Sequence, residues 1–445
     1  SAGTTAGFGS FLAFVNGSYY FRKKDDLPSI PELPDPFEKP DGSRVMTPEE
    51  WPAQREYLKE LLAHYLYGHM PKDSGVTKGE VVFSRPVYNG KGVAETIKLT
   101  AGRKGEVVFY ADLIRPVKEG RVPVFTWNQF TGRHGSPAEE EIVCRRGYAI
   151  MEFDKEQLAP DNGDAINGVV AKAFPECDWG AIAMWAWGHS RLVDYLFTTD
   201  WADTDKIIAT GHSRGGKVAL CAAIYDERIA LCAPNGSGCG GAGCFRFLGG
   251  RYGEGIGLCE TAGSINDMLG YWWTDAFGEF GARQKRYTRS NFPVAKNQME
   301  FMANFSLDKL GTLQDEDRLP FDMHFAKALI APRALITTDG LGDVWANTFG
   351  TQVTWRAAQE VFDFLGVPEK NALHFREGKH EFQAADWIAI VDFCDEMFFG
   401  KTSANNIVSF RPVQQAGTPM DVMMERMDWR KTKLHYTWSN PLEDM

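Results

Sequence analysis

The hydrophobic pattern of the chain changes character along its length. Between residues 79 and 113 apolar and polar side chains alternate in three short runs, Gly79 to Ser84, Ala94 to Thr100 and Val107 to Leu113. That period predicts antiparallel strands at a sheet edge. From Val122 to Trp127 and from Tyr148 to Phe153 the runs are apolar nearly throughout, as in buried strands. Helix-like and strand-like segments then alternate. A helix is expected over Gly180 to Phe197, a strand from Ile207, an Ala-rich helix ending at Tyr225 and a strand over Ile229 to Ala233. Farther on come strands Arg333 to Thr338 and Ala372 to Phe375 and helices over about 352 to 364 and 384 to 398. Repeated β-then-α order implies a parallel sheet with right-handed crossovers. Ahead of it, Thr47-Pro-Glu-Glu50 has the form of a capping box opening a helix over Trp51 to Tyr67.

Three stretches break this rhythm. Phe8 to Val15 is short and interrupted and reads as a mobile or surface-packed lead-in, followed by a proline-rich segment, residues 28 to 40, expected to lie extended over the surface. A glycine-rich loop from Asn235 to Arg246 opens an insertion running to about Pro320, which should form part of a site wall at the carboxyl ends of the strands. Residues 402 to 445 read as a polar, surface-wrapping tail. The expected organisation is an extended lead-in (1–40), one catalytic domain (41–400, insertion about 236–320) and that tail (401–445).

The junction of strand and helix at Ile207 to Tyr225 carries the chemistry. Gly211-His-Ser-Arg-Gly215 is a Gly-x-Ser-x-Gly motif in a strand–turn–helix context, where it forms a nucleophile elbow. The serine is held in a strained turn at the top of the sheet, and Gly211 and Gly215 are expected because a Cβ at either would strike a neighbouring strand or helix. The fold class that follows is the α/β-hydrolase fold, a mostly parallel central sheet flanked by helices in three layers. Arg214 and Lys217 place two cations in the first helical turn, where the macrodipole disfavours them by a few tenths to ~1 kcal/mol each. Something must offset that cost, and the pair reads as aimed at an oxygen-rich or incipiently anionic ligand.

A serine hydroxyl needs an imidazole to take its proton. His380, in Arg376-Glu-Gly-Lys-His380 after the last strand and before the final helix, has the required place; His189 and His374 read as packing histidines. In hydrolases of this kind the order is Ser, acid, His. The acid falls in Asp339-Gly-Leu-Gly-Asp343-Val-Trp345, where Asp343, farther into the loop, is preferred over Asp339; either is also a residue type that forms turns before or near glycine.

Composition narrows the rest. The formal charge is −11, with 48 basic against 59 acidic residues, and no basic cluster is present, which argues against a nucleic-acid partner. No apolar run approaches the ~20 residues of a membrane span. Eight cysteines show no zinc spacing, and neither metal nor organic cofactor is expected. Cys239, Cys244 and Cys259 share one glycine-rich region, where pairing would suit an oxidising compartment; free thiols are the preferred reading. Opening at Ser1 without Met or a basic leader, the chain reads as one whose signal peptide was removed or never present.

With these residues in place the chain resembles the glucuronoyl esterases of carbohydrate esterase family fifteen, especially the bacterial branch. The matching stretches are Leu33-Pro-Asp-Pro-Phe37, Trp127-Asn-Gln-Phe-Thr-Gly132, Gly180-Ala-Ile-Ala-Met-Trp-Ala-Trp187, Gly211-His-Ser-Arg-Gly-Gly-Lys217, Gly236 to Arg246, Ala331-Pro-Arg333 and Asp343-Val-Trp-Ala346. The resemblance implies cleavage of esters between glucuronic or 4-O-methylglucuronic acid and lignin alcohols, hence a glucuronoxylan or lignin–carbohydrate ester as partner, a secreted or periplasmic location and a monomer. It implies Ser213 as nucleophile, His380 as base, Arg214 as oxyanion stabiliser, Lys217 as ligand of sugar hydroxyls and Trp345 over the sugar. It also implies a hydroxyl-binding glutamate at Glu260, with Glu254 as alternative, and Tyr252 lies near the place of a further sugar contact. An N–H of the Asn128 to Thr131 loop is expected as a second oxyanion donor. The chain departs from the fungal pattern at position 236, a glycine where fungal members carry their acid. Rival readings are an acetyl xylan esterase or broad carboxylesterase with the same triad, and a catalytically silent sugar-binding hydrolase fold.

Overall fold

The computed structural model describes residues 11–15, 18–30, 32–129, 137–246, 259–281, 288–293 and 315–401. Strands β1 (Phe11–Val15) and β2 (Ser18–Phe21) pair as an antiparallel hairpin. The remaining strands are β3 (Lys78–Val87), β4 (Gly92–Ala101), β5 (Val107–Pro116), β6 (Val122–Gln129), β7 (Ala149–Asp154), β8 (Ala202–His212), β9 (Leu231–Asn235), β10 (Ala334–Gly340) and β11 (Asn371–Arg376). They form a nine-stranded sheet ordered β11-β10-β9-β8-β6-β7-β5-β4-β3. The six strands from β11 to β7 run parallel, and β5, β4 and β3 continue antiparallel, as the alternating runs near the amino end require. The helices are α1 (Trp51–Leu62), α2 (Pro137–Arg145), α3 (Val169–Ala173), α4 (Ala181–Leu196), α5 (Arg214–Tyr225), α6 (Ala262–Leu269), α7 (Met323–Ala328), α8 (Thr348–Phe364) and α9 (Ala384–Phe399).

The parallel strands are apolar on both faces because both are covered. On β8, β9 and β10, Ile208, Leu231, Ala233, Ala334 and Ile336 enter an apolar cluster with Val143 of α2 and Trp387 and Ile390 of α9. The intervening Ile207, Ala209, Cys232 and Leu335 enter a larger cluster with Ile182, Trp185, Val218, Val353 and Val361 of α4, α5 and α8. The period-two split yields the three layers, and each large side chain so buried contributes about 1.5–3 kcal/mol.

The amino-terminal expectations need correction. Phe11–Val15, expected as part of a mobile or surface-packed lead-in, pairs with Ser18–Phe21 as the β1–β2 hairpin. The proline-rich segment is anchored in the core, not laid on the surface: Leu33 and Phe37 are 2% and 4% exposed, and Pro34 O accepts a hydrogen bond from His324 Nε2 at 2.7 Å. Apolar residues between prolines supply the anchors. The capping role of Glu50 holds, its Oε2 accepting Thr47 N–H at 2.9 Å. The helix it opens ends its α-helical course at Leu62 and widens into a π turn over Ala63–Tyr67. All eight cysteines are free thiols. The tail from 402 and much of the insertion lie outside the described residues. No described helix is long and apolar enough to cross a membrane.

Three buried histidines make stability sensitive to acid. Burial pushes His189 down to about 3 and His212 and His324 down to about 4. Between the ordinary imidazole value near 6.5 and these folded values the unfolded chain binds more protons, so stability is full above about pH 6.5 and falls as pH drops toward 4. Over the same window the Asp339 and Glu260 carboxyls, pushed up by burial, take protons in the folded state and act in the opposite sense, so the urea midpoint is expected to decline less steeply than the three rings alone require; a midpoint that rises from pH 7 to 4 would contradict the assignment of these rings as neutral.

Candidate active site

The site lies at the carboxyl ends of four adjacent parallel strands, β8 to β11. Ser213 follows β8 with φ 58° and ψ −123°, the strained geometry of an elbow, and α5 begins at the next residue. Gly211 permits the turn, since a Cβ there would sit 2.1 Å from Gly215 O. The matching expectation for Gly215 fails: a Cβ there would make only ordinary contacts with Asn128, at 3.4 Å and beyond. The tight position is Gly216, where a Cβ would meet Ser237 Cβ at 2.8 Å, because the loop after β9 presses on that turn of α5.

Ser213 Oγ lies 3.0 Å from His380 Nε2, and His380 Nδ1 lies 2.6 Å from Asp343 Oδ2. The imidazole is 36% exposed while the Asp343 side chain is 2% exposed, so the ring is open to a ligand and its carboxylate partner is not. Two loops bring the partners together. Gly342 N–H donates to Gly378 O at 2.8 Å and Leu341 N–H to Arg376 O at 2.8 Å, zipping the turn after β10 onto the turn after β11. Arg376 clamps the second turn, its guanidinium donating to Lys379 O at 3.3 Å, Glu381 O at 2.5 Å and Asp386 Oδ2 at 2.7 Å. Asp339 has a different task. Fully buried, it accepts Gly236 N–H at 2.9 Å, and burial together with the nearby Asp343 pushes its carboxyl well up.

The two cations of α5 are offset by carboxylates far along the chain. Arg214 Nη1 donates to Asp161 Oδ2 at 2.5 Å, and the same carboxylate receives Lys155 Nζ at 3.2 Å, Tyr271 Oη at 2.6 Å and Trp272 Nε1 at 3.0 Å. Burial alone would raise the Asp161 carboxyl, but Arg214, Lys155 and these donors hold it well below the usual range. Lys217 Nζ donates to Ser237 O at 2.6 Å and to both Glu260 oxygens at 3.1 and 2.9 Å. Burial pushes the Glu260 carboxyl up, and Lys217 offsets this only in part. Gly238, with φ +63°, leaves room for that carboxylate: a Cβ would lie 2.3 Å from Glu260 Oε2. The indole of Trp272 lies under both cations, 4.9 Å from the Arg214 guanidinium carbon and 5.6 Å from Lys217 Nζ.

The Lys217–Glu260 pair is almost wholly buried, at 3% and 5% side-chain exposure. Lys217→Met is expected to cost about 3–5 kcal/mol by stranding a buried carboxylate, and adding Glu260→Leu to restore much of it. Urea midpoints of the single and double variants check this; equal midpoints for wild type and Lys217→Met would contradict it.

Ser213, His380, Asp343, Arg214, Lys217 and Glu260 thus surround one end of the sheet, and Trp345 joins them through its carbonyl, which accepts Glu260 N–H at 3.0 Å. Glu254, Tyr252, Phe130 and Thr131 lie outside the described residues. His189 is a core histidine as expected, with Nδ1 2.9 Å from Thr126 Oγ1. The pattern gave no sign of Asp161, Trp272 or Arg376. The one available signal for Asp161 was the uncompensated charge of Arg214 and Lys217 at a helix start.

Comparison with known proteins gives this geometry its family. A family model described as glucuronyl esterase of fungi matches residues 103–299 and 284–366. The chain is 28% identical over 433 residues to a carbohydrate esterase of an unknown prokaryotic organism, covering 83% of this chain and 90% of that one. It is 27% identical over 385 residues to a 4-O-methyl-glucuronoyl methylesterase of Phanerochaete carnosa, covering 84% and 83%. Among solved structures, a carbohydrate esterase family 15 glucuronoyl esterase from Caldicellulosiruptor kristjansonii superposes with a TM-score of 0.69 at 28% identity over 91% of this chain and 97% of that one. With the family model spanning more than half of the chain, on an α/β-hydrolase sheet with serine, histidine and aspartate in hydrogen-bonded sequence at its carboxyl edge, this chain belongs to the glucuronyl esterase family.

Proposed function

We propose that the chain is a serine esterase that hydrolyses esters of glucuronic or 4-O-methylglucuronic acid, the class of linkage between xylan side groups and lignin alcohols. The observation that carries this is the continuous Ser213–His380–Asp343 hydrogen-bond chain beside two cations, Arg214 partly buried and Lys217 buried. His380 takes the Ser213 proton as Oγ attacks the ester carbonyl. Asp343 fixes the Nδ1–H tautomer and stabilises the imidazolium that forms. The tetrahedral oxyanion falls to the Arg214 backbone N–H, at the first position of α5, and to its guanidinium. Collapse breaks the ester C–O bond, the alcohol leaves with the proton from His380, and a glucuronoyl group remains on Ser213. Water, deprotonated by His380, then attacks the acyl carbon and releases the acid.

Lys217 and Glu260 bind sugar hydroxyls and Trp345 covers the ring. As a mutually paired cation and anion they offer donors and acceptors without excess charge, which suits a neutral polyol face. The working unit is the monomer, since the serine, histidine and aspartate come from one chain, and it acts outside the cytoplasm, where a polymeric glucuronoxylan is met.

The comparison that tests substrate class uses methyl glucuronate, methyl galacturonate and an acetylated xylan under identical conditions. The expected order puts kcat/KM for the glucuronate ester highest, with the galacturonate epimer lower because a site built around a hydroxyl leaves its own polar groups unpaired when that hydroxyl is displaced. Acetyl release exceeding uronate-ester cleavage would transfer the chain to the acetyl esterase reading.

A further inference from the structure

The residue before the nucleophile does more than complete a motif. His212 ends β8, and its ring packs on that of His380 with centroids 4.6 Å apart and planes tilted by 40°. Its Nδ1 lies 2.7 Å from Asn235 Oδ1. The amide of Asn235 is oriented in turn: its Nδ2 donates to Thr338 Oγ1 at 2.8 Å, and the side chain also donates to the Asp386 carboxylate, which can only accept. The carbonyl end therefore faces His212, and Nδ1 of His212 carries the proton. On its flank the ring meets Phe382 at 6.1 Å, which stacks on Trp387 at 4.4 Å and 15°. His380 is thereby held on an edge by Asp343 and on a face by an imidazole that is itself locked from the ends of β9 and β10.

Resting on the triad reading above, we propose that His212 is a positioning residue for the reaction: its neutral ring holds the His380 imidazole in line with Ser213 and presents an uncharged π face to the imidazolium formed during acyl transfer. A ring charged at this distance would oppose the proton that His380 must accept. The groups acting on His212 favour neutrality on balance. Burial disfavours the charged form most, His380 and Arg376 add to it, and Asn235 and Asp343 act in the opposite sense.

The test compares wild type with His212→Ala, His212→Phe and Ser213→Ala on a methyl glucuronate ester, together with the far-downfield proton resonance of the His380 Nδ1–H bonded to Asp343. His212→Ala is expected to lower kcat about tenfold, within the cost of slight misplacement of a reacting group. KM should stay within about twofold, and the downfield resonance should broaden or vanish. His212→Phe, which restores a ring without a charge, should recover most of kcat and the resonance. If His212→Ala does not fold, His212→Leu, which fills the space without a ring, takes its place with the same expectations. Unchanged kcat and an unmoved resonance in the ring-less variant, with Ser213→Ala inactive, would overturn the proposal and leave the triad standing. Normal turnover by Ser213→Ala would overturn both.

Discussion

Ser213→Ala is expected to lower kcat on a methyl glucuronate ester by roughly 10⁶-fold, the scale seen when the nucleophile of a serine hydrolase is removed. The size follows from the geometry. Oγ lies 3.0 Å from His380 Nε2, and no other hydroxyl is bonded to His380 among the described residues. What survives should come from binding and oxyanion stabilisation acting on water. The substitution removes the hydroxyl and leaves the Ser213 backbone, whose N–H donates to Asn235 O at 2.8 Å and whose carbonyl accepts Gly216 and Lys217 N–H at 2.9 and 3.2 Å, so the fold should be kept. Steady-state kinetics with a matched thermal melt separates the two effects; a loss below about tenfold would be incompatible with covalent catalysis by this residue.

Asp343→Asn should lower kcat by about 10⁴-fold with KM nearly unchanged, since an amide can donate to Nδ1 and hold His380 in the wrong tautomer. The acid is expected to be transferable. A Cβ at Gly236 would lie 3.4 Å from both His380 Nδ1 and Asp343 Oδ2, so Gly236→Glu points a carboxylate at the same proton from the neighbouring strand end. Combined with Asp343→Asn it should recover one or two powers of ten, limited by the left-handed φ of +53° at that position. Turnover unaffected by Asp343→Asn would remove the carboxylate from the mechanism.

Much of this was legible in the chain because it is local or ordered along the sequence. The β/α rhythm has a short period, the elbow is a contiguous motif, and His380 and Asp343 follow consecutive strands whose order hydrolases of this type keep. The harder features depend on contacts between distant segments. Asp161 stands in Ala159-Pro-Asp-Asn-Gly163, a turn by composition, yet it anchors Arg214, Tyr271 and Trp272 at separations of 53, 110 and 111 residues. By sequence alone the electrostatic cost of two cations at a helix start points to an oxygen-rich or anionic ligand, whereas in the fold two carboxylates of the chain itself, Asp161 and Glu260, meet them. Gly215 misled for a related reason: its motif position suggested close packing, whereas the loop that closes on α5 reaches Gly216 instead. The prolines of residues 28–40 predict a surface course, yet Leu33 and Phe37 enter the core because an extended chain can still bury some of its side chains. Asp339 and Asp343 are both buried and differ by partner, Gly236 N–H for one and His380 Nδ1 for the other, which a one-dimensional pattern does not contain.

The most direct measurement of the central claim is covalent trapping of the nucleophile with a serine-directed fluorophosphonate, followed by peptide mass mapping, in the absence and presence of a methyl glucuronate ester. One adduct per chain is expected, on the peptide carrying Ser213, forming more slowly as the ester approaches and exceeds its KM. Labelling of another serine, or of Ser213 at a rate the ester does not alter, would contradict it.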